Sequence, residues 1–123
     1  MLIVLALEAV ADLPDGFIVA GFSNGAAMAE YVATQQIVGG ALLFSGALSV
    51  QILGAERWPT GVPVQIHYTL QDPFREQAGI DELSREVAAT DGSVALFDYP
   101  GSGHLFTDTS VLPSTTHTRP GGA

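Results

Sequence analysis

Phe17-Ile18-Val19-Ala20-Gly21-Phe22-Ser23-Asn24-Gly25 is an apolar run that stops abruptly on a serine set among small residues. Phe17–Ala20 reads as a short, continuously apolar strand of the kind buried in a parallel sheet. Gly25–Gln36 is rich in alanine, with Met28, Tyr31 and Val32 at helical spacing and Glu30 on another face, and reads as a helix. The turn between them has the pattern G-x-S-x-G, in the strand-to-helix setting that exposes a nucleophilic hydroxyl. Such a turn strains the backbone at the serine, so its neighbours must be small. It also sets the hydroxyl at a helix N-terminus, where free N–H groups and the helix dipole favour developing negative charge. The alternative is a glycine-rich turn that serves only close packing of helix on sheet.

Working outward, Val38–Phe44 repeats the buried-strand pattern and ends at Ser45-Gly46. An irregular stretch holding Trp58-Pro59 leads to a third strand over Val62–Tyr68. Asp81–Thr90 is expected to be a helix, with Asp81 as N-cap, Leu83 and Val87 at i and i+4, and Asp91-Gly92 as its stop. Ser93–Tyr99 is a fourth strand, closed by Pro100-Gly101. Before the quoted stretch, residues 2–12 suit a mostly buried helix, followed by the turn signal Leu13-Pro14-Asp15-Gly16. Alternation of this kind predicts an α/β fold of about four parallel strands joined by right-handed crossovers. Thr107–Ala123, rich in Thr, Ser, Pro and Gly, reads as irregular, and the tail proper is taken as 109–123.

The 123 residues suit one domain with a modest core, 47% hydrophobic and only 14% charged. So low a charged fraction hints that some apolar surface is covered by a partner. The net charge of −9, without a single lysine, disfavours nucleic acid and anionic membrane surfaces as partners. The absence of cysteine excludes disulfides, thiolate–metal sites and a cysteine nucleophile. The apolar start lacks a basic leader and is interrupted by Glu8, so the chain is read as cytoplasmic. Three separated histidines without nearby carboxylate spacing give no metal-ligand set, and no cofactor is expected.

A serine hydroxyl needs a base at neutral pH. His67 falls inside the third strand, where a satisfied core histidine is the simpler reading, and His117 lies in the tail. His104 follows a flexible Pro-Gly-Ser-Gly loop after the fourth strand, where α/β folds gather their sites. A base needs a carboxylate to fix its tautomer. Asp72, just past the third strand, is the candidate, although an aspartate before proline also suits a plain turn; Asp98 and Asp108 compete with it. Ser23, Asp72 and His104 each follow a different strand, in the chain order Ser…Asp…His of the α/β-hydrolases.

On these residues the chain resembles the dienelactone hydrolase family, a branch of the α/β-hydrolases. The matching stretches are Val19–Gly25, Val64–Tyr68 leading to Asp72, and Tyr99–Phe106, in order and at similar separations, and the likeness extends over roughly residues 5–108. The resemblance implies a partial α/β-hydrolase domain over 1–108, and a serine hydrolase acting on small carboxylic esters or lactones. By it, Ser23 attacks, His104 is base and then acid, Asp72 orients the imidazole, and the Asn24 backbone N–H serves the oxyanion. Phe22, Tyr68 and Phe106 are candidates for substrate contacts. The founding enzymes carry cysteine where Ser23 stands. Leu105-Phe106-Thr107-Asp108 also lacks the arginine with which some members hold a substrate carboxylate, which argues against dienelactone itself.

Measured against that pattern, the family's earlier strands, the loop giving a second oxyanion donor and the final helix have no counterpart. The strand before Ser23 is therefore expected at a sheet edge, with one apolar face uncovered, so that either the chain is a fragment or a homo-oligomer covers edge and face. Two other functions stay open from the residues alone. One is a catalytically weak or inactive remnant that acts only through contacts. The other is a phosphate-binding module using the Gly21–Gly25 turn, against which stand the negative charge and the lack of a P-loop lysine.

Overall fold

A computed structural model of the chain describes residues 11–104. It contains β1 (Phe17–Phe22), α1 (Asn24–Gln35), β2 (Val38–Phe44), β3 (Val64–Thr69), α2 (Gln77–Ala89) and β4 (Val94–Tyr99). All neighbouring strands pair in parallel, in the spatial order β1-β2-β3-β4. The α/β class is as the sequence implies, and among the described residues the strand before Ser23 stands at the edge of the sheet. Residues 1–10, which hold most of the first expected helix, and residues 105–123, which include the expected tail, lie outside the described residues.

The core forms on one face of the sheet. Ala26, Ala29 and Ala33 of α1 and Ile80, Leu83 and Val87 of α2 join Ala41, Leu43, Val64 and Ile66 in a single buried cluster. Small residues on α1 let its axis come close to the strands. Gly21 shows how close: a Cβ there would sit 1.9 Å from the Gly25 carbonyl oxygen, so no larger residue fits this turn. The irregular segment between β2 and β3 is anchored by Trp58, which is fully buried and donates its Nε1–H to the Val62 carbonyl at 2.9 Å.

The other face carries a row of rings in strand register. Phe22, Phe44, His67 and Phe97 stack from β1 to β4 with centroids 4.6 Å apart at each step, close to the spacing of the strands themselves. Phe22 is 49% exposed, Phe97 40% and Ile18 58%. Among the described residues no helix lies on this apolar face.

Several boundaries differ from expectation: the third strand spans Val64–Thr69 instead of Val62–Tyr68, other ends move by one residue, and two shifts have a clear cause. The second helix begins at Gln77, four residues before Asp81, and Asp81 instead accepts a hydrogen bond from Gln77 Nε2 at 3.0 Å. Gly79 lies inside that first turn despite its low helix propensity. A Cβ there would meet the Ala47 carbonyl oxygen at 2.5 Å, so the helix gains a close approach to the segment after β2. The first strand runs on to Phe22, because its pairing continues through Gly21–Leu43 and Phe22–Phe44. Among the described residues no helix is long and apolar enough to cross a membrane.

Candidate active site

β1 hands the chain to α1 through a single residue. Ser23 donates its N–H to the Phe44 carbonyl at 2.7 Å and adopts φ 59° and ψ −119°, a conformation rare outside glycine. Its hydroxyl does not cap the helix. The Oγ lies 2.7 Å from His104 Nε2, across 81 residues of sequence. On the far side of the ring, His104 Nδ1 lies 2.7 Å from Asp72 Oδ2. A carboxylate only accepts, so Nδ1 carries the proton and Nε2 is left with the lone pair facing Ser23.

Asp72 is held for this contact. Its other oxygen, Oδ1, accepts the Phe74 N–H at 2.8 Å, and its side chain is fully buried. The competing Asp98 is engaged elsewhere, in an ion pair with Arg75 at 2.7 Å. Asp108 and His117 lie outside the described residues. His67 is a structural histidine: it stacks between Phe44 and Phe97, and its nitrogens lie 2.8 Å from the Tyr99 hydroxyl and 3.0 Å from Gln65 Oε1. Burial lowers its pKa and so favours the neutral ring.

The Ser23–His104 contact opens onto a pocket of about 420 Å³, within the small-molecule range. Asn24, Leu48, Tyr68, Phe74 and Glu76 are among its walls. Burial, with the Asp72 carboxylate nearby, raises the Tyr68 phenol above its ordinary pKa and keeps it protonated. Of the expected substrate contacts, Tyr68 lines the pocket. Phe22 does not, because strand alternation turns its ring onto the opposite face against Phe44. Phe106 lies outside the described residues. Among the described residues no group of three or more metal-ligating side chains could hold an ion.

The turn after β2 forms another wall and rests on two carboxylates. Glu86 accepts the Val50 N–H at 2.9 Å and the Ser49 hydroxyl at 2.5 Å. Glu30 accepts the Leu48 N–H at 2.9 Å, while its Oε2 has no partner among the described residues. Far from facing away, Glu30 is completely buried, and burial raises its pKa to about 8, with Glu86 adding to the rise. The folded state thus holds a proton that the unfolded chain releases near pH 4.5. Stability from this group is fully present below that pH and declines as pH rises toward about 8. The limiting slope is about 1.4 kcal/mol per pH unit. Glu30→Gln is expected to flatten this decline, as read from thermal melts between pH 5 and 8; an equal decline in the variant would assign it to other groups.

Four parallel strands, with a strand–serine–helix turn over a pocket at their carboxyl ends, are the arrangement of the α/β-hydrolase fold. Solved structures share the fold. A Bacillus cereus carboxylesterase superposes with a TM-score of 0.63 at 21% identity over 89% of this chain. The mouse alpha/beta hydrolase domain-containing protein 10 gives 0.56 at 13% identity over 87%. The chain spans 53% and 61% of those two proteins, respectively. No curated protein matches it significantly. The family itself follows from the sequence: residues 3–116 match the model of the dienelactone hydrolase family, and the chain belongs to it.

Proposed function

We propose that the chain is a serine hydrolase that cleaves small carboxylic esters or lactones through Ser23, His104 and Asp72, without a cofactor and in the cytoplasm. The unbroken series Ser23 Oγ–His104 Nε2 and His104 Nδ1–Asp72 Oδ2, each at 2.7 Å, carries this reading. Ser23 Oγ attacks the carbonyl carbon as its proton passes to His104 Nε2, and Asp72 stabilises the imidazolium. The Asn24 N–H, in the first turn of α1 where backbone donors lack intrahelical partners, faces the oxyanion. The intermediate collapses, the leaving alkoxide takes the proton from His104, and an acyl group stays on Ser23. Water then attacks the acyl carbon, giving its proton to His104, which returns it to Ser23 as the acid departs.

The walls suggest an uncharged substrate. Glu76 is the charged member among the described lining residues. The neighbouring Arg75 is committed to Asp98 and to Gln77 Oε1. The reading is tested by turnover of a neutral short-chain p-nitrophenyl ester, compared with Ser23→Ala. A second reading is favoured by the edge position of β1 among the described residues and by the exposed Ile18, Phe22 and Phe97: an interaction module whose edge and face are covered by another copy of the chain. Well-folded protein without ester turnover selects it.

A further inference from the structure

His104 sits at the end of a turn that should wander. Pro100-Gly101-Ser102-Gly103 has little to restrain it, and Gly101 takes φ 108°. Backbone bonds tie the turn to the chain after β3, from the Leu70 N–H to the Tyr99 carbonyl at 2.9 Å and from the Gln71 N–H to the Gly101 carbonyl at 3.0 Å. They stop short of the histidine. Beyond them, the carbonyls of Gly103 and His104 are gripped by side chains: Thr69 Oγ1–H donates to Gly103 O at 2.9 Å, and Ser45 Oγ–H donates to His104 O.

Ser45 stands to β2 as Ser23 stands to β1. The strands pair Phe22 with Phe44, so the two serines follow in register, and both hold φ 59°. Strained serines thus end adjacent strands, one hydroxyl meeting the imidazole of His104 and the other its main chain. Ser45 is 5% exposed and Thr69 2%, so neither finds a ready substitute in water for this acceptor.

We infer that Ser45 and Thr69 are positioning residues, which fix the main chain of the histidine turn so that the ring of His104 bridges Ser23 and Asp72. The inference rests on the triad reading given above. Ser45 also borders the pocket, whereas Thr69 does not, so Thr69 gives the cleaner test.

Thr69→Val keeps the shape and removes the donor, and Thr69→Ser restores it. The valine variant is expected to lower kcat about 10- to 100-fold with KM changed less than about 2-fold, as for a misplaced catalytic group. Thr69→Ser is expected to recover most of that rate. A readout independent of turnover is the proton resonance of the His104 Nδ1–H shared with Asp72: sharp in the parent chain, broadened or lost in Thr69→Val and Ser45→Ala, and recovered in Thr69→Ser. Should Thr69→Val fail to fold, Ser45→Ala carries both readouts. An unchanged kcat with an unchanged resonance, or a serine variant as impaired as the valine one, overturns the inference. If Ser23→Ala is inactive while Thr69→Val keeps the parent kcat, only this inference fails; if Ser23→Ala keeps full turnover, the triad reading fails.

Discussion

Ser23→Ala is expected to lower ester turnover by about 10⁴-fold or more while leaving the thermal melt nearly unchanged. The size of the effect follows from the chemistry: without the hydroxyl no acyl-enzyme forms, and the remaining donors act only on direct attack by water. The stability expectation follows from the structure. The Oγ of Ser23 contacts His104 and does not cap α1, so the helix loses no side-chain cap. Alanine adds no atom near Gly21 or Gly46, the two glycines packed against this turn. Steady-state hydrolysis and a melting curve on the same preparation check both halves. Turnover within 10-fold of the parent would place the reaction on another group.

Asp72→Asn is expected to lower kcat by about 10⁴-fold, a loss out of proportion to the single atom changed. Asp72 Oδ1 accepts the Phe74 N–H, so an asparagine keeps its carbonyl oxygen there and turns its NH₂ toward His104 Nδ1. Nδ1 must then accept, which moves the ring proton to Nε2. The lone pair that should take the proton of Ser23 disappears. Nitrogen chemical shifts of the imidazole read the tautomer directly, and kcat reads its consequence. A variant with the parent tautomer and near-parent rate would show that Asp72 is a turn residue and no more.

The fold and the candidate serine were legible for the same reason: both are written in local patterns. The apolar run ending at Ser23 specifies a strand, and the alanine-rich segment after it specifies a helix with an unhindered face. The choice of Asp72 over Asp98 was not local. It depends on Arg75, which reaches across 23 residues to hold Asp98. Phe22 looked like a pocket residue because it neighbours Ser23, yet strand alternation sends consecutive side chains to opposite faces, and its ring joins the row of Phe44, His67 and Phe97.

Glu30 misleads helical periodicity in the other direction. Helical spacing sets it on another face from Met28, Tyr31 and Val32, and the turn after β2 folds over that face and offers the Leu48 N–H. Ser45 had a signal that passed unused. Phe44-Ser45-Gly46 echoes Phe22-Ser23-Asn24-Gly25 at the end of the adjacent strand, and both serines hold φ 59°. What the sequence could not convey was that the second hydroxyl meets the main chain of His104, since that depends on how the last described turn closes.

The central claim is that Ser23 is made nucleophilic by His104. A fluorophosphonate probe tests it without knowledge of the natural substrate, because capture requires only an activated hydroxyl beside an oxyanion site. Peptide mapping after labelling is expected to find one adduct per chain, on Ser23, formed slowly or not at all in His104→Ala and absent in Ser23→Ala. Labelling of the folded parent on any other residue, or equal labelling of the His104→Ala chain, would contradict the account.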